Sequence, residues 1–139
     1  MGLHTQDCST PPAPGSPPVA WLDATKNRNQ VPGWRLEDDG VVGGGTVPAA
    51  MALVREWKAR DAAAAGELVV RLTAAAAEAG HAPATVAADA GGEVVTARLT
   101  TPGLAGPGGL SINDFILAAK LNRVGTVDLE KRAKPKFWA

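Results

Sequence analysis

The stretch "AMALVREWKAR" alternates in character, with Leu53, Arg55, Trp57 and Ala59 on one side and Val54, Glu56, Lys58 and Arg60 on the other. A period of two predicts a strand with Trp57 turned to the core and the charged set facing water. Ahead of it, "WRLEDDGVVGGG" predicts a shorter strand running into a Gly-rich turn at Gly43–Gly45. The period then changes. In "AAAAGELVVRLTAAAAEAG", Leu68, Leu72, Ala75, Ala76 and Ala79 recur at helical spacing, after Asp61 as N-cap and before Gly80 as a left-handed stop. "ATVAA", the turn "DAGGE" and "VVTARLTT" read as a hairpin, because Gly91 and Gly92 permit positive φ between two alternating runs. Finally, in "SINDFILAAKLNRVG", Ser111 stands three residues before Asp114 as in a capping box, and Gly125 marks the expected end of a second long helix.

The order strand, strand, helix, strand, strand, helix predicts an α+β fold: a two-layer sandwich of a four-stranded antiparallel sheet with the helices packed on one face. "AWLDATKNRNQ" adds a short helix ahead of these elements, with Trp21 and Leu22 docking and "VPGW" breaking it.

Composition refines this picture at the ends. Residues 1–18 are rich in Pro, Ser, Thr and Gly and are expected to be a disordered tail. Residues 19–30 form a docking segment, 31–125 the domain proper, and 126–139 a basic C-terminal tail whose Phe137 and Trp138 would clamp onto this domain or a neighbouring subunit. A length of 139 residues suits one domain. Fourteen basic and fourteen acidic side chains cancel, which removes the broad attraction that nucleic acid or an anionic membrane needs. No apolar run approaches the roughly 20 residues that span a bilayer. Cys8 is the only cysteine, so an intrachain disulfide is excluded. No signal or transit peptide is legible in the first residues.

The segments "VPGW", "GHAP" and "GGLSINDFILAAKLN", together with "REWKARD", resemble the pterin-4a-carbinolamine dehydratase (4a-hydroxytetrahydrobiopterin dehydratase) family over roughly Val31–Val124, in particular its plant and algal members. The resemblance implies the same sheet-and-helix fold, assembly into homodimers or homotetramers, and a pterin small molecule as substrate. The implied reaction removes water from a 4a-hydroxytetrahydropterin to give the quinonoid dihydropterin, with no metal or cofactor taking part and with neither nucleic acid nor membrane as partner. It also points to the cytoplasm or an organelle, chloroplast or mitochondrion, of a plant or alga.

That dehydration moves one proton off a ring nitrogen and delivers one to the departing hydroxyl, work that imidazoles perform near neutral pH. The family uses a His-His-Pro motif and a later histidine. Here His81 keeps the first imidazole and is the expected catalytic group, whereas Ala82 replaces the second and Pro102 the third. Read from the residues alone, His81 is more readily a polar helix cap, and only the resemblance brings the catalytic reading level with it. Asp114 and Pro83 are the expected substrate contacts, with Asp114 also serving as an ordinary capping residue. Lys58, Arg60 and Arg98 are read as a solvated strand face. The loss of two imidazoles keeps a second function open: a non-catalytic oligomeric scaffold on the same fold, such as a coactivator or a RuBisCO assembly factor.

Overall fold

The strand expected around Trp57 forms as β2, Met51–Lys58, and it lies inside the sheet. The structure, a computed structural model, describes residues 2–38, 51–83, 85–105 and 109–131; within these, the side chains of Trp21, Leu22 and Asp38 are not described. The expected Gly43–Gly45 turn, the docking of Trp21 and Leu22, and the aromatic pair Phe137 and Trp138 lie outside the described residues. The elements are α1 (Trp21–Arg28), β1 (Arg35–Asp38), β2, α2 (Ala62–Ala79), β3 (Thr85–Ala88), β4 (Val94–Leu99) and α3 (Ile112–Leu121).

The four strands pair antiparallel in the order β1-β2-β4-β3. Register places Leu53 opposite Leu99 and Trp57 opposite Val95, so the apolar halves of β2 and β4 share a face. Leu68 and Leu72 of α2 and Phe115 and Leu117 of α3 close on that face in one core, all fully buried. Each such side chain removed from water contributes about 2 kcal/mol. The α+β two-layer arrangement predicted from the element order is the one found.

The caps of α2 follow the sequence. Asp61 Oδ1 accepts from the Ala64 N–H at 2.7 Å, and Gly80 adopts φ 79° to end the helix. The hairpin turn places Gly92 at φ 74°.

The outer face of the sheet is less polar than alternation suggests, since Val54 is buried at 3% exposure. Its cross-strand neighbours are Arg35 and Arg98, whose guanidinium groups both pair with Glu37. Lys58 and Arg60 are exposed, as expected.

α3 ends at Leu121 rather than running to Gly125. Asn122 is held in place at that end. Its Oδ1 accepts from Trp34 Nε1 at 2.8 Å and from Arg55, and its Nδ2 donates to the Pro32 carbonyl at 3.0 Å. Arg55 stacks over Trp57 at 4.6 Å, and Trp57 meets Trp34 edge to face at 5.9 Å, so the "VPGW" and "REWK" motifs lock together here.

Within residues 1–18, expected to be a disordered tail, residues 3–10 are packed in the structure. Leu3 and Cys8 are buried, a 3-10 turn forms at Leu3–Thr5, and the segment packs against α3. The cause lies in α3 itself, where Asn113 to Ala119 are buried without interruption. A helix apolar all round needs cover on the side away from the sheet. Residues 3–10 supply it, although they could not fold alone. At the other end, Leu129 is buried and Glu130 bridges Ala59, extending the edge of β2.

Candidate active site

Two helix ends meet at the site. Gly80 turns the chain sharply out of α2 and delivers His81, while the capping box at the start of α3 delivers Asp114. His81 Nε2 lies 2.8 Å from Asp114 Oδ1, with the histidine side chain 11% exposed and the aspartate 0%.

The carboxylate is held on its other oxygen as well. Asp114 Oδ2 accepts from Thr101 Oγ1 at 2.7 Å and from the Ser111 N–H at 3.0 Å, and the Ser111 hydroxyl lies 2.7 Å from Thr101 Oγ1. A carboxylate can only accept, so the proton order follows: Ser111 donates to Thr101, Thr101 to Asp114, and His81 Nε2–H to Asp114. Each fully buried side-chain nitrogen or oxygen among the described residues has a partner. In a neutral imidazole this order leaves Nδ1 as the lone-pair nitrogen, on a ring oriented by a carboxylate held at both oxygens.

Asp114 is thus a capping residue and the partner of His81 at once, two roles that looked like alternatives from sequence. It is fully buried, with both oxygens bonded to protein groups. Pro83 is half-buried two residues beyond His81 and makes no part of the network. Ala82 and Pro102 are both exposed. Sequence reasoning missed Thr101. The only hint was its place at the end of the alternating run "VVTARLTT", where a hydroxyl breaks the apolar pattern on the core side; in the structure it is buried at 5% exposure.

The segment ahead of α1 also reaches this seam. The Cys8 thiol points at the Ala79 carbonyl from 3.7 Å, and burial pushes its pKa up against the opposing pull of Lys120. Among the described residues no group of three His, Cys, Asp or Glu side chains gathers as a metal site would require, and no helix is long and apolar enough to cross a membrane.

The chain is similar to known proteins in sequence and in fold. The sequence pattern of the family described as pterin 4 alpha carbinolamine dehydratase matches residues 20–124. A protein of Arabidopsis thaliana named "Probable pterin-4-alpha-carbinolamine dehydratase, chloroplastic" is 34% identical over 139 residues, all of this chain and 56% of that protein. The chain thus spans about half the length of the curated relative it matches. The crystal structure of a transcriptional coactivator/pterin dehydratase from Brucella melitensis superposes with a TM-score of 0.54 over 76% of this chain and 95% of that one. At 19% identity this similarity speaks for the fold alone. By the extent of the family match and the identity to the Arabidopsis protein, the chain belongs to the pterin-4a-carbinolamine dehydratase family.

Proposed function

We propose that this protein dehydrates 4a-hydroxytetrahydropterins to the quinonoid dihydropterin, with His81 as its acid/base group. The observation that carries the reading is the bond from His81 Nε2 to the fully buried carboxylate of Asp114. That bond leaves Nδ1 as a base of fixed direction. In the reaction Nδ1 takes the proton from the ring nitrogen, the carbon–oxygen bond breaks as the carbon–nitrogen double bond forms, and the same proton leaves with the hydroxyl as water. The imidazolium that exists between those transfers is stabilised by Asp114, whose own orientation is fixed by Thr101 and Ser111.

One imidazole then performs both transfers that a set of three would divide, because Ala82 and Pro102 carry no group able to move a proton. Family membership and the name of the Arabidopsis relative support the reaction class. Homodimeric or homotetrameric assembly belongs to the same proposal, carried over from the resemblance.

The test is the rate of dihydropterin formation from freshly generated 4a-hydroxytetrahydropterin, compared with buffer because the substrate also dehydrates unaided. Wild-type protein accelerates it, and His81→Ala removes an acceleration on the order of 10²–10⁴, the usual share of general acid/base catalysis. A wild-type rate equal to buffer would discard the enzyme in favour of a binding scaffold on this fold.

A further inference from the structure

Three ties hold the segment ahead of α1 across the seam where His81 meets Asp114. The Cys8 thiol contacts the Ala79 carbonyl, two residues before His81. Ser9 lies so close over Gly80 that a Cβ at that glycine would stand 2.8 Å from the Ser9 Cβ. Asn113, the chain neighbour of Asp114, donates from Nδ2 to the Thr10 carbonyl at 2.8 Å. Farther along α3, Lys120 donates to the His4 carbonyl at 3.0 Å and Leu3 is buried in the core cluster. With the segment in place, the His81 side chain keeps 11% of its surface. That is too little for a planar bicyclic ligand to bring both a ring nitrogen and a hydroxyl onto Nδ1.

The same segment is part of neither the sheet nor the long helices. Its only regular structure is the single turn at Leu3–Thr5, and it belongs to no strand of the sheet. Beyond Thr10 come Pro11, Pro12 and Pro14. The chain is then pinned independently, by Gly15 N–H to the Gly103 carbonyl at 2.7 Å, Ala105 N–H to the Ser16 carbonyl at 2.8 Å and Val19 N–H to the Leu110 carbonyl at 2.7 Å. A stiff, proline-rich connector thus separates a fixed base from an arm held by two buried side chains and a few single hydrogen bonds.

We propose that residues 3–10 are a strap that closes the His81–Asp114 site and must lift for a ligand to reach Nδ1. The proposal rests on reading His81 as the reactive group, but its test needs no pterin. In the 139-residue chain, His81 is modified with diethyl pyrocarbonate and followed by peptide mass spectrometry, while Cys8, its only cysteine, is labelled with a thiol reagent as a monitor of the strap. Leu3→Asp detaches the arm from α3, and Asn113→Ala releases Thr10. Circular dichroism reports whether each remains folded, and Asn113→Ala gives the same reading should Leu3→Asp unfold.

Both rates should rise together by roughly two- to tenfold, the effect of weakening closure by about one hydrogen bond. A rise at Cys8 with no change at His81 overturns the proposal, since the strap then moves without uncovering the site. No rise at either residue in a folded variant overturns it too, since the arm is then not separable. Faster modification at both residues with no dehydration by any variant leaves the strap standing and removes the dehydratase reading.

Discussion

Replacing Asp114 by asparagine changes one atom and should reverse the hydrogen-bond order of the whole site. The carboxylate accepts three bonds, from His81 Nε2 at 2.8 Å, Thr101 Oγ1 at 2.7 Å and the Ser111 N–H at 3.0 Å. An amide keeps one acceptor oxygen. The Ser111 N–H is a fixed backbone donor, so the oxygen must stay on that side and the amide NH₂ must face His81. Nε2 then becomes the acceptor, and the imidazole proton moves to Nδ1, the atom that should serve as base. Three bonds also lose their charge assistance at a site with no exposure, a cost of about 2 kcal/mol. For a domain of this size that lowers the Tm by roughly 6–10 °C. Nitrogen-15 NMR of the His81 ring reads the tautomer, thermal unfolding reads the stability, and a double-mutant cycle with His81→Ala reads the coupling. We expect the Nδ1–H tautomer, the drop in Tm, a coupling of about 1–2 kcal/mol, and loss of the dehydration rate to the level of His81→Ala. An unchanged tautomer, or strictly additive stabilities, would refute the proposed proton order.

Gly80→Ala should destabilise by roughly 2 kcal/mol in urea titration, because a left-handed φ of 79° strains any Cβ and this one would also strike Ser9. Asn122→Ala should cost about 2–4 kcal/mol by the same measurement, since it strips Trp34 Nε1 and Arg55 of their acceptor and the Pro32 carbonyl of its donor. Arg71 binds Asp128 through both carboxylate oxygens and holds its pKa below the ordinary value. The pair therefore supports the fold above the unfolded carboxylate pKa, near 3.9, and loses that support as pH falls through the lower folded value. NMR titration of Asp128 in Arg71→Ala should show its pKa returning upward. Burial raises the Cys8 pKa, so its contribution is complete below the unfolded thiol pKa of about 8.5 and declines as pH rises from there toward the folded value. Cys8→Ala should flatten that alkaline decline in stability against pH.

Local signals made much of this protein legible from its sequence. The period-two run through Trp57, the Asp61 and Gly80 caps, the Gly91-Gly92 turn and the Ser111/Asp114 capping box are each decided by residues within a few positions of one another, and each formed as read. The physical cause is short-range: backbone sterics and orphan helix-end groups have the same solutions whatever surrounds them. Even the cover on α3 left a trace, since "FILAA" has no polar face to give to water.

Only the tertiary structure decided what joins across distance. It set Thr101 beneath Asp114, brought Asp114 to His81 across 33 residues of chain, and laid a segment with no core of its own against Ala79 and Asn113. A Pro-rich stretch reads as disordered because it cannot bury enough surface by itself; it orders here because α3 offers an apolar side that the sheet leaves bare. His81 likewise looked undecided between cap and catalyst. Composition and spacing name the residue types, but the direction in which Nδ1 points is set by which carboxylate the fold brings to Nε2.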